Sequence, residues 1–147
     1  MTLRLEYRTV APEAVRALSA VNSYIAQSSI DPALRRLVEV RTSQINGCGY
    51  CIQVHRRQAL ELGESPQRLA ALETWRKSAL FSERERAALA WTEAVTLIAA
   101  TGAPDQDYDA LRGHFDDKEI VDLTFVIMSM NAWNRLAISF RREATLE

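Results

Sequence analysis

The sequence predicts an all-α fold. Apolar residues recur at the three- and four-residue spacing of helices along most of the chain, and no alternating strand pattern of useful length interrupts them. Only 4 prolines and 5 glycines occur in 147 residues, and they stand at segment edges or in the cysteine motif described below. With 48% hydrophobic side chains and no segment of linker composition, we expect residues 1–147 to form a single domain.

Three helices are predicted in the first half of the chain. The first covers residues 12–28, and the second runs from the Asp31-Pro32 cap to about Asn46-Gly47. The third begins at about Cys48 and ends at Gly63. Its inward face is expected to contain Cys48, Cys51, Ile52, His55, Ala59 and Leu62.

Four more helices are predicted in the second half, which makes about six or seven in all. Ser65-Pro66 begins a short helix, and the capping box at 82–85 begins a longer one that continues to Gly102. Asp105 begins another short helix. Asp116-Asp117 caps the last one, which reaches residue 140 and is apolar on nearly every side, so we expect it to be buried centrally or at a subunit contact.

Charge and hydropathy exclude several classes of partner. The net charge is −1 and the basic residues are spread along the chain, so we expect no nucleic acid or anionic lipid partner. The N-terminus lacks the apolar core of a signal peptide, and no uncharged apolar run approaches the ~18 residues of a membrane span. We therefore expect a cytoplasmic protein, in which two close cysteines are catalytic, redox-sensing or metal-binding more often than a permanent crosslink.

Both cysteines fall in the segment Gly47–His55, as a Cys-x-x-Cys followed four residues later by histidine. A thiol reacts as its thiolate, and an ordinary cysteine with a pKa of ~8.5 is mostly protonated at neutral pH. A helix N-terminus favours negative sulfur, and His55 lies one turn after Cys51 on the same face. These features predict Cys51 as nucleophile, Cys48 as its resolving partner and His55 as the base, with an external dithiol needed for turnover.

Two further residues are candidates for this site. Glu39, on the preceding helix, is predicted to orient His55 so that it accepts the thiol proton. The alternative is a surface carboxylate paired with Arg35 one turn back. Tyr50, between the cysteines, could donate a hydrogen bond to sulfur or peroxide, or serve only in packing.

Other interpretations of the cysteine motif stay open from the residues alone. Two cysteines on an apolar face can be plain core residues. Cys48, Cys51 and His55 could also bind zinc, but His114 has no obvious pairing as a fourth ligand, so such a site would have to be shared between subunits. We expect neither a metal nor a cofactor.

The stretch Glu39-x-Arg41-x-Ser43-Gln44-Ile45-Asn46-Gly47-Cys48-x-x-Cys51-x-x-x-His55 resembles the core signature of the AhpD-like alkylhydroperoxidases, in the carboxymuconolactone decarboxylase superfamily. The Asn131–Arg135 stretch within the last helix is similar to the smaller single-domain members, so the likeness covers about residues 30–142. The resemblance implies a helical bundle that assembles into trimers or hexamers.

The same resemblance implies reduction of alkyl hydroperoxides. Cys51 matches the cysteine that attacks peroxide, Cys48 the resolving one, and Glu39 with His55 the relay that deprotonates the thiol. A thiol/disulfide reductant protein or a small thiol would be the partner that reopens the disulfide. The alternatives are a non-catalytic redox-sensing or structural oligomer, and a decarboxylase-like enzyme that uses the same pocket without thiol chemistry.

Two positions depart from AhpD itself. Its relay glutamate stands where this chain has Arg36, whereas Glu39 occupies the place usual for the smaller members. It also has histidine between the cysteines, where Tyr50 stands here. These changes keep the thiol chemistry but alter the surroundings that would select a substrate and a reductase.

Overall fold

A computed structural model describes residues 2–145, and these residues contain helices and no strand. The predicted all-α class is confirmed. The nine α-helices are α1 (Tyr7–Val10), α2 (Pro12–Ala26), α3 (Pro32–Asn46), α4 (Gly49–Glu61), α5 (Pro66–Ala71), α6 (Glu83–Thr96), α7 (Ile98–Thr101), α8 (Asp105–Arg112) and α9 (Asp117–Ser139). A 3-10 segment, Leu72–Lys77, follows α5 directly.

Two four-residue helices explain why the described part of the chain has nine α-helices rather than about seven. The helix predicted to continue to Gly102 breaks at Leu97, whose ψ of 34° leaves the helical region and separates α6 from α7. At the N-terminus, the Glu6 side chain accepts a hydrogen bond from the backbone of Arg8 and begins α1. Neither helix is long enough to produce a detectable periodicity.

The turn between α3 and α4 positions the cysteine motif. Gly47 ends α3 with a φ of +73°, a left-handed conformation that glycine adopts without strain. Cys48 follows as the N-cap of α4. The motif therefore begins at the N-terminus of a helix, as predicted.

Helix α3 lies at the centre of the bundle, because it packs against α4, α6 and α9. Its residues contribute to two apolar clusters on different sides. Leu34 and Val38 belong to the first cluster, together with Trp91 and Ile127. The second cluster contains Leu37, Val40, Ala59, Leu69, Leu72, Trp75, Phe81 and Leu89. The polar side chain of Glu39, on this helix, is consequently held in the interior of the bundle.

Helix α9 is only partly buried within one chain. One side, which includes Leu123 and Ile127, is buried, but Val121, Phe125 and Met128 are exposed on the other. The expectation that Leu62 points inward is wrong, since it is 53% exposed. Helix α4 ends at Glu61, so Leu62 has left the helical register. Among residues 2–145, no helix combines the length and apolar composition needed to cross a membrane.

Candidate active site

The two cysteine sulfurs are joined in a disulfide. Cys48 and Cys51 have Cα atoms 5.3 Å apart, and the backbone N–H of Cys51 donates to the Sγ of Cys48 over 3.3 Å. The predicted nucleophile and its predicted resolving partner thus lie within bonding distance of each other. Cys48 is the N-cap of α4, and Cys51 lies in the first turn of that helix. The positive end of the helix dipole therefore acts on both residues.

Both cysteines are nearly inaccessible from outside, with exposed fractions of 2% for Cys48 and 3% for Cys51. They differ in what they adjoin. Cys51 lines a cavity of about 290 Å³ between α1, α2, α3, α4 and α9. Cys48 lines a different and smaller cleft beside Arg141 and Arg142. A molecule in the larger cavity therefore meets Cys51 and not Cys48.

His55 lines the same cavity as Cys51. Its Nδ1 lies 3.0 Å from Gln58 Oε1 and 3.6 Å from Glu39 Oε2. Two acceptor oxygens around Nδ1 favour the tautomer with its proton on that nitrogen, which leaves Nε2 free to accept a proton. Burial lowers the pKa of His55, and although Glu39 opposes this effect, the pKa stays below its ordinary value. The imidazole is thus a neutral base at pH 7.

Glu39 is buried, with an exposed fraction of 5%. Its Oε1 lies 2.7 Å from Arg36 Nη1 and 3.2 Å from Arg35 Nε, while its Oε2 faces His55. The pairing with Arg35 is therefore present, but the carboxylate is not at the surface as the alternative interpretation held. The structure brings Glu39 and His55 together and adds Gln58, which sequence reasoning missed although it stands three residues after His55.

Tyr50 borders the cavity and contacts arginines from both ends of the chain. Its hydroxyl lies 3.5 Å from Arg8 Nη2, and the Arg142 guanidinium lies 4.9 Å from the ring centroid. Burial acts to raise the pKa of Tyr50, but hydrogen bonding and charge from Arg142 and Arg8 outweigh it and bring the pKa below its usual value. Tyr50 therefore has polar and cation–π contacts at the cavity in addition to packing, which was the alternative interpretation of this residue.

The remaining walls come from distant parts of the chain. Tyr7 on α1 and Asn22 on α2 line one side, and Met130 and Trp133 on α9 line the other. Sequence spacing does not connect these helices to α4, so these residues were not identified as site residues. Within residues 2–145, no three side chains of the His, Cys, Asp or Glu type are grouped as a metal site requires.

The fold and the site together define a class of protein: an all-helical domain with a Cys-x-x-Cys disulfide next to a cavity that contains a buried histidine and carboxylate. Residues 12–94 match the model of the carboxymuconolactone decarboxylase family. The chain belongs to this family and is AhpD-like.

Individual relatives agree with that assignment. The chain is 38% identical to the uncharacterized protein YdfG of Bacillus subtilis over 144 residues, which cover 98% of each chain. A crystal structure of ATU0492 from Agrobacterium tumefaciens, of unknown function and provisionally assigned as the antioxidant defence protein AhpD, matches with a TM-score of 0.97. It is 40% identical and covers 99% of this chain and 100% of that one.

A more distant structure shares the fold. The uncharacterized peroxidase-related protein of Ralstonia eutropha JMP134, with an alkylhydroperoxidase AhpD core, is 23% identical with a TM-score of 0.82. The match covers 94% of this chain and 74% of that one.

Proposed function

We propose that the protein is a thiol-dependent peroxidase that reduces organic hydroperoxides through the Cys48–Cys51 pair. One observation carries this proposal: Cys51 shares a cavity with His55, whose Nδ1 faces Glu39 and Gln58 and whose Nε2 is left to act as a base. The similarity to a protein provisionally assigned as AhpD supports the same chemistry.

The first step starts from the dithiol form. His55 accepts the proton of Cys51, and the thiolate attacks the terminal oxygen of the hydroperoxide. The S–O bond forms as the O–O bond breaks, and the departing alkoxide takes a proton and leaves as the alcohol. Cys51 is then a sulfenic acid.

The second step closes the disulfide. Cys48 attacks Cys51 Sγ, the S–S bond forms, and the S–O bond breaks as hydroxide leaves and is protonated to water. Position at the N-cap of α4 helps Cys48 react as a thiolate. The sum is one hydroperoxide and two thiols giving one alcohol, one water and one disulfide, and an external dithiol supplies two electrons to restore the start.

Single cysteine variants test the proposal. Purified protein is reduced with dithiothreitol and supplied with cumene hydroperoxide, and peroxide loss is followed over several turnovers. Cys51→Ser should abolish the catalysed loss. Cys48→Ser, freed of dithiothreitol before peroxide is added, should accumulate a sulfenic acid that dimedone traps. Undiminished peroxide loss in Cys51→Ser would overturn the proposal. A single oxidation without turnover under any dithiol would favour a redox sensor.

We also propose a homo-oligomer, a trimer or hexamer, located in the cytoplasm. Exposed Val121, Phe125 and Met128 form an apolar row on α9, a surface that supports assembly. Sedimentation of the purified protein tests this part, since a monomer at micromolar concentration would contradict it.

A further inference from the structure

The cavity beside Cys51 carries more positive than negative charge. Among residues 2–145, its lining contains three arginines, Arg8, Arg35 and Arg36, but only one carboxylate, that of Glu39. His55 also lines the cavity, and its imidazole is neutral at pH 7 because burial lowers its pKa. The ionised side chains that face the cavity therefore leave two positive charges without a counterion among them.

Arg35 and Arg36 show this excess most clearly, because they converge on the same oxygen of Glu39. Their side chains are only 12% and 20% exposed. The Nε atoms of both arginines are buried and lack a hydrogen-bond partner, and Arg35 Nε, 3.2 Å from Glu39, does not have hydrogen-bond geometry toward it. One carboxylate shared by two guanidiniums leaves positive charge that a second anion in the cavity would neutralise.

Arg8 contributes from another helix. Its guanidinium donates to the Tyr50 hydroxyl over 3.5 Å, a long contact, and forms no ion pair within residues 2–145. Glu6 lies near enough to attract Arg8, but its carboxylate pairs with Arg142. Arg8 thus brings to the cavity, beside Tyr50, a cation that has no ion pair of its own within residues 2–145.

From this arrangement we infer that the cavity selects substrates that carry a carboxylate, bound by Arg8, Arg35 and Arg36 while the hydroperoxide group meets Cys51. Guanidinium groups bind carboxylates in a planar, often bidentate geometry. A volume of about 290 Å³ suits a small organic acid. The inference deepens the proposed peroxidase function and rests on it for the reacting group, and the carboxylate itself is unchanged in the reaction.

Binding to the oxidised protein tests the anion site without any catalysis. Benzoate and its neutral analogue benzyl alcohol are titrated by calorimetry, with inorganic phosphate as a third probe. We expect benzoate to bind more tightly than the other two. Arg8→Gln and Arg35→Gln should weaken benzoate roughly ten- to a hundredfold, the range of a lost charged hydrogen bond. Arg56→Gln, an equal charge change at an exposed position of α4 outside the cavity lining, is the control and should leave binding unchanged.

Kinetics with a matched pair of hydroperoxides provides the second readout. Cumene hydroperoxide with a para-carboxylate is compared with its methyl ester, which has the same reacting group. Wild type should prefer the acid, and Arg8→Gln should lose that preference while Arg8→Lys retains part of it. A general structural effect transmitted through Glu39 would slow both substrates equally and leave the ratio unchanged.

The two proposals fail in different ways. Peroxidase activity with equal rates for acid and ester, and no benzoate binding, would overturn the carboxylate inference and leave the peroxidase intact. Benzoate binding that depends on Arg8, in a protein that consumes no peroxide, would overturn the peroxidase and leave the anion site. Phosphate binding as tight as that of benzoate would overturn the assignment of a carboxylate.

Discussion

Glu39 Oε2 lies 3.6 Å from His55 Nδ1, although the two residues belong to different helices and are separated by the turn that contains the first cysteine. The contact joins the buried centre of α3 to the face of α4 that carries Cys51. In the proposed mechanism this contact favours the imidazole tautomer that accepts a proton at Nε2, as activation of a neighbouring thiol requires.

Removal of the base should slow the thiol reaction. General base catalysis contributes about 10²- to 10⁴-fold, so His55→Gln should reduce kcat/KM for hydroperoxide by roughly a hundredfold at pH 7. The loss should shrink at high pH, where the thiol ionises without help. Stopped-flow measurement of sulfenic acid formation across pH gives the comparison, and an unchanged rate at pH 7 would exclude His55 as the base.

Glu39→Gln tests the orienting carboxylate, because it keeps the shape and removes the charge that faces His55. We expect a loss of about tenfold in kcat/KM, since the base stays present but is less well oriented. Glu61→Gln, an exposed residue of α4, is the matched control and should behave as wild type. If kcat/KM were the same in Glu39→Gln and Glu61→Gln, the role of Glu39 would be limited to pairing with the arginines.

The burial of neutral His55 should also make the protein less stable in mild acid. Its folded pKa is below the unfolded value near 6.5, so between these values the unfolded chain binds more protons. The free energy of unfolding should therefore fall as pH drops below about 6.5 toward the folded pKa. Urea unfolding of the oxidised protein at pH 7.5 and 5.5 measures this change. His55→Gln should lose less stability over the interval, and an equal loss would contradict the linkage.

A buried amide network connects α9 to the end of α3. Asn134 accepts from Asn46 over 2.9 Å and donates to Ser43 Oγ over 3.1 Å. Asn134→Ala should lower the free energy of unfolding by about 2 to 4 kcal/mol, because it leaves buried polar groups unpaired and a small void. Ser139→Ala, exposed on the same helix, should change it by less than about 0.5 kcal/mol. Similar urea midpoints for both would show that the network contributes little.

Local features of this structure could be predicted from the sequence, and contacts between distant helices could not. The spacing of Cys48, Cys51 and His55 lies within one helix, where i+3 and i+4 neighbours share a face whatever the rest of the fold does. The proximity of Glu39 to His55 depends on how α3 packs on α4, and only the family resemblance implied it. Arg8 reaches the cavity through the packing of α1, which leaves no pattern in the chain. The helix break at Leu97 could not be predicted from the sequence either, because no glycine or proline marks it.

The proposed mechanism requires that Cys51 ionise readily because of His55. The direct measurement is the rate of alkylation of Cys51 by iodoacetamide against pH, in a Cys48→Ser background so that one thiol reports, with and without His55→Gln. We expect a Cys51 pKa well below the ordinary ~8.5 when His55 is present and a rise toward that value when His55 is replaced. A pKa near ~8.5 in both proteins would contradict it.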